Sequence, residues 1–88
     1  MKFVKDPDAV LDYGFDWSEW LATGETIATS VWVVTTGITK DSDLHSDTET
    51  KVWLSGGTAN GVYRARNRIT TTEGRTDSRT IIVRVVER

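Results

Sequence analysis

At 88 residues the chain has room for one hydrophobic core. A domain of this size buries little more than ~60% of its unfolded surface, which leaves a small stability margin and little room for a deep active site. There is no cysteine, so disulfide staples and thiolate metal ligands are excluded, and packing of the four tryptophans, each able to bury ~200 Å², must take their place. The net charge of -2 hides an uneven distribution, with three basic against ten acidic residues in positions 1–50 and eight against three in positions 51–88.

Strand periodicity dominates from the start. Leu11, Tyr13, Phe15 and Trp17 alternate with Asp12, Gly14, Asp16 and Ser18, the period of two that marks a half-buried strand, and this is the expected first strand. Ser18 to Leu21 is too short for more than one turn of helix, and Trp17 and Trp20 can close one end of the fold from there. Thr23-Gly24-Glu25 reads as a bend. Glu25 to Val34 is rich in β-branched residues and predicts the next strand, though its alternation alone does not say which face is buried. Residues 39–48 are polar and acidic, and predict a loop with at most a short edge strand. Glu49 to Leu54 follows as a strand with Trp53 on the face opposite Val52 and Leu54.

The corner Ser55-Gly56-Gly57-Thr58-Ala59-Asn60-Gly61-Val62-Tyr63 runs directly into a strand. A Gly-x-Tyr at the mouth of an alternating strand, here Gly61-Val62-Tyr63, is how many immunoglobulin-like sandwiches turn between sheets, the tyrosine hydroxyl anchoring the corner backbone. Gly56, Gly57, Gly61 and Tyr63 are therefore the expected structural corner. Gly61 to Thr72 and Asp77 to Arg88 predict a long hairpin closed by Glu73-Gly74-Arg75-Thr76. Tyr63, Ala65, Ile69 and Thr71 then share a face with Ile81, Val83 and Val85, and Arg64, Arg66 and Arg68 line the other beside Ile82, Arg84 and Val86. The fold expected is all-β: a small immunoglobulin-like antiparallel β-sandwich of five to seven strands, forming a single domain over residues 1–88.

The residues offer little to catalysis. In the stretch holding Asp41, Asp43, His45 and Asp47, oxygen ligands stand at positions 1 and 3 as in a calcium loop, but Ser46 stands at the position where an EF-hand needs glycine, and the bland reading is a solvated, edge-protecting stretch. His45, the only histidine, has no nucleophile motif beside it. The Gly56-Gly57 corner precedes a strand and lacks the lysine and helix of a phosphate loop. No catalytic, cofactor-binding or metal residue is expected, and no cofactor. Arg64, Arg66, Arg68 and Arg84 are the candidate partner surface, because guanidinium groups on one strand face can grip carboxylates bidentately. The competing reading pairs them with acidic residues of the same domain. The acidic pI of 5.3 argues against nucleic acid. Trp20 is the tryptophan least committed to the core.

No apolar run approaches the ~18 residues of a membrane helix, and Met1 to Asp8 lack the apolar stretch of a signal peptide, so a soluble protein made in the cytoplasm is expected.

The blocks Asp16-Trp17-Ser18-Glu19-Trp20-Leu21, Trp53-Leu54-Ser55-Gly56-Gly57-Thr58-Ala59 and Ile69-Thr70-Thr71 stand in an order that resembles small structural proteins of tailed bacteriophages and prophages, the fibre-tail adaptors. The resemblance covers nearly the whole chain and departs at the acidic residues 39–48. It implies an immunoglobulin-like, non-enzymatic virion protein of the tail region, assembled in the host bacterial cytoplasm. The partners it implies are other tail or fibre proteins, or further copies in a multi-copy ring, with neither nucleic acid nor membrane involved. Two alternatives stay open beside it: a receptor- or glycan-binding module of a tail fibre, and a head decoration protein.

Overall fold

The computed structural model describes residues 2–87. It contains seven strands and no helix among them: β1 (Lys2–Lys5), β2 (Leu11–Asp16), β3 (Ile27–Val34), β4 (Ile38–His45), β5 (Glu49–Gly56), β6 (Val62–Thr71) and β7 (Thr76–Val85). They form two sheets, of order β1-β7-β6-β3 and β2-β5-β4. All pairings are antiparallel except that of β1 with β7, which is parallel. Taken in chain order, β2-β5-β4 corresponds to the B-E-D sheet of an immunoglobulin sandwich and β7-β6-β3 to its G-F-C sheet, with the first strand placed against G.

Alternating residues of both sheets meet in one core. Phe15 and Trp17 from the β2 end pack on Trp32 of β3 and Trp20, with Phe15 stacked on Trp32 at 5.9 Å and Trp20 edge-on to Trp17 at 5.6 Å. Val52 and Leu54 face Ala65, Ile69, Ile81, Val83 and Val85 across the sheet gap, all fully buried. Trp32 occupies the place of the buried tryptophan on strand C of immunoglobulin domains. Ala65, two residues after the corner tyrosine, stands where disulfide-stapled relatives of the fold carry their second cysteine.

A buried polar network links the sheets instead. Thr50 Oγ1 donates to Asn67 Oδ1 at 2.7 Å, and the Trp17 indole N–H approaches both oxygens at 3.2 Å. Asn67 Nδ2 then donates to Ser30 Oγ and to the Val31 carbonyl, so one fully buried amide ties β5 and Trp17 to β6 and β3. Every member has a partner, as a buried network must if it is to stabilise the fold.

Three sequence expectations change. The chain starts one strand earlier, at β1, a strand of four residues with lysine at both ends that gives too little alternation to read. Residues 38–45 form a full eight-residue strand, β4, and not a loop with a short edge strand. Its backbone pairs with β5 along its length apart from a bulge between Lys40 and Ser42, while most of its side chains are exposed at the sheet edge, so the alternation that would announce a strand is absent. In β3 a bulge between Ile27 and Thr29 resolves the ambiguity of its faces: Ile27 and Trp32, out of phase in sequence, both point into the core.

Candidate functional site

The glycine corner sits where β5 hands over to β6. Gly56 and Gly57 both have positive φ, 78° and 92°, and a Cβ on Gly57 would stand 2.6 Å from Val85 Cγ2. Only glycine meets both demands at once. The Thr58 N–H donates to Tyr63 Oη at 2.8 Å, and accepting that bond lowers the Tyr63 pKa. Gly61 completes the turn: its N–H donates to the Thr58 carbonyl, and its carbonyl accepts from Val85 N–H. Lys5, which sequence reasoning missed, lies fully buried beneath this corner and donates through Nζ to the Gly56 and Asp6 carbonyls, both at 2.8 Å.

From that corner β6 runs out with its arginines on one side. Register pairs Arg64 with Ile82, Arg66 with Val33, Arg68 with Val31 and Arg84 with both Val62 and Val4. Paired residues share a face, so all four arginines stand on the outward face of the four-stranded sheet, together with Lys2 opposite Ile82. No strand position on this face carries an acidic residue, and none of the ion pairs among the described residues includes these arginines. Arg66 Nη2 reaches Ser78 Oγ at 3.2 Å. Between the cations lie exposed apolar side chains: Val33 is 63% exposed, Val62 59% and Val31 53%. Thr29, Val31, Val33, Arg66, Arg68 and Thr70 line one shallow groove on the face.

The acidic residues gather elsewhere. Asp12, Asp16 and Glu49 point outward from the β2-β5-β4 sheet, where Asp12 pairs with Lys51 at 3.6 Å and Lys51 lies 5.8 Å from the Trp53 ring. Trp53 is therefore half-buried on an outer face, and Trp20, expected to be the least committed to the core, is half-buried as well, packing against the core with Arg75 over its ring at 4.1 Å. At the same end, Glu25 is buried and bonded to Arg75, to Thr71 Oγ1 at 2.5 Å and to the Ala22 N–H. Those bonds, the Arg75 contact foremost, hold its pKa at about 2 against the opposing effect of burial.

The acidic residues considered for a cation do not converge. Asp41 accepts from Ser55 Oγ, Asp43 pairs with Lys40 at 2.8 Å, and His45 Nδ1 meets the Ser46 carbonyl. No group of three or more metal-competent side chains exists among the described residues. Nor does any helix among them have the length and apolarity to cross a membrane.

The fold and its outward face define an immunoglobulin-like module that displays a basic, apolar surface on one sheet and sets Asp12, Asp16 and Glu49 on the outer face of the other. The chain belongs to the Gp77 family, described as podophage GP4 fiber-tail adaptor protein gp77, whose model matches residues 5–84. No curated protein matches it. Membership makes it a structural adaptor of the phage virion, one that works in contact with other tail or fibre proteins.

Proposed function

We propose that this protein acts without catalysis, by docking the outward face of its β1-β7-β6-β3 sheet onto an acidic surface of a neighbouring tail or fibre protein. The observation that carries the reading is the composition of that face: Arg64, Arg66, Arg68, Arg84 and Lys2 interleaved with valines and Ile82, with no carboxylate at any of its strand positions. Arginines spaced about 7 Å apart along a strand repel one another, and no ion pair within the described residues offsets that repulsion. Against a partner's carboxylates the same spacing gives both steering and register. Assembly takes place in the host bacterial cytoplasm before the protein is carried in the virion.

Charge reversal tests this. Arg66→Glu with Arg68→Glu should lower retention of the protein in purified particles by about tenfold or more at low salt, while the isolated protein melts within ~0.5 kcal/mol of the wild type. Unchanged retention would remove the arginines from the interface, and equal loss of folding would make them structural.

A further inference from the structure

We propose that the free edge of β3 receives an extended segment of the tail or fibre partner as an added strand, with carboxylates on the side that the segment shares with Arg66 and Arg68. This rests on the reading of that sheet face as the partner surface, and adds how the partner is held.

The two sheets end in four edges: β1, β3, β2 and β4. Three are guarded. β1 is only four residues long, with lysine at both ends, and β2 carries Asp12 and Asp16. β4 is bulged between Lys40 and Ser42 and turns Lys40, Asp43 and His45 to the side it shares with core residues Leu54, Val52 and Thr50. Short length, charge, bulges and inward-facing charged residues are the devices that keep an edge from pairing with another chain. β3 has none of them beyond its first residues. From Thr29 to Val34 it is regular, uncharged and free of proline, with Val31 and Val33 exposed.

The ladder phase identifies the backbone groups on offer. The Thr35 N–H donates to the Arg64 carbonyl at 2.9 Å, which makes that pair a hydrogen-bonded one. Antiparallel pairs alternate, so Val33–Arg66 and Val31–Arg68 are also hydrogen-bonded, and the N–H and C=O groups of Ser30, Trp32 and Val34 point away from β6. No strand pairs with β3 on that side among the described residues.

Charge complementarity selects the occupant. An added strand would set alternate side chains beside Val31 and Val33, within reach of the long guanidinium arms of Arg66 and Arg68 in the same groove. Carboxylates suit those positions. Apolar residues suit the alternate ones, which fall beside Trp32 and Val34. A second copy pairing through its own β3 would instead bring two arginine rows onto one continuous face, which their like charge disfavours.

Amide hydrogen exchange by NMR on the full chain tests the proposal, with a blocked octapeptide of alternating Glu and Val as the probe. In the free protein, the Ser30, Trp32 and Val34 amides should exchange faster than those of Val31 and Val33. The peptide should slow those three by about tenfold or more, an alternating Lys-Val octapeptide should not, and Arg66→Glu with Arg68→Glu should abolish the slowing while the fold still melts cooperatively. Absence of slowing at millimolar peptide overturns strand addition. If the peptide then still shifts the arginine signals, the basic face keeps its role and only the edge loses it. Slowing that rises with protein concentration alone would assign the edge to a second copy, and slowing by an oligothymidylate of similar length would assign it to nucleic acid. Either result overturns the proposal.

Discussion

The two outward faces of this sandwich obey the same alternation but carry opposite chemistry. On β1-β7-β6-β3, arginines stand among valines with no carboxylate at the strand positions, whereas on β2-β5-β4, Asp12, Asp16 and Glu49 surround Lys51 and Trp53, with an ion pair formed within the face. Charge on the second face is partly settled internally. On the arginine face no ion pair forms among the described residues, and this supports the proposal that it meets a partner. Sheet membership turns an imbalance along the chain into one across the molecule: the basic β6 and β7 pair with the uncharged β3 and the lysine-bearing β1, and the acidic strands join the other sheet.

The comparison can be broken most severely from inside, since both faces rest on one core. Trp17 is fully buried between the sheets, and Trp17→Ala should cost about 3–5 kcal/mol, enough to unfold much of a small domain. Denaturant titration measures this, and a cost under about 1 kcal/mol would mean that the two sheets do not depend on the shared aromatic cluster. Next comes the corner from which the arginine strand departs. Gly57→Ala meets both a positive φ and Val85, and should destabilise by more than about 1 kcal/mol in the same assay.

A smaller effect is expected at the Trp20 end. Glu25 has its pKa lowered from 4.5 to about 2, so it binds fewer protons folded than unfolded. Its contribution is complete above about pH 4.5 and is lost as pH falls toward 2. Thermal melts from pH 6 to pH 2 should therefore fall more steeply for the wild type than for Glu25→Gln; parallel curves would show that the Arg75 contact does not hold the carboxylate. The smallest effect sharpens the contrast of faces. Asp12→Lys with Glu49→Lys should change stability by no more than ~0.5 kcal/mol and leave particle retention intact, and loss of retention would give the acidic face a partner of its own.

Much of the architecture is legible in the sequence where side chains alternate between core and solvent. Tyr13, Phe15, Val52, Leu54, Ala65, Ile69 and Ile81 all announce their burial in this way. The arginine face is equally legible, because Arg64, Arg66 and Arg68 are in phase with each other and out of phase with Ala65 and Ile69. Asn67 is harder: it occupies an inward position of β6 but is polar, and only its Thr50, Trp17 and Ser30 partners explain why it is buried. A polar residue in phase with a buried face was the available signal. For Lys5 no such signal exists, since its acceptors include a carbonyl 51 residues away.

By itself the sequence determined the strand-rich character, the glycine-tyrosine corner, the long hairpin and the common side of its arginines, since all of these follow from local backbone preference and a period of two. Only the tertiary structure decided that β1 lies parallel to β7, that the bulge in β3 turns Trp32 inward, that acidic and basic strands fall into different sheets, and that β3 ends its sheet unguarded. The reason is physical. Alternation says which side of a strand faces the core, but the choice of neighbouring strand depends on packing between residues far apart in the chain, and that choice sets which charges stand together and which edge is left open.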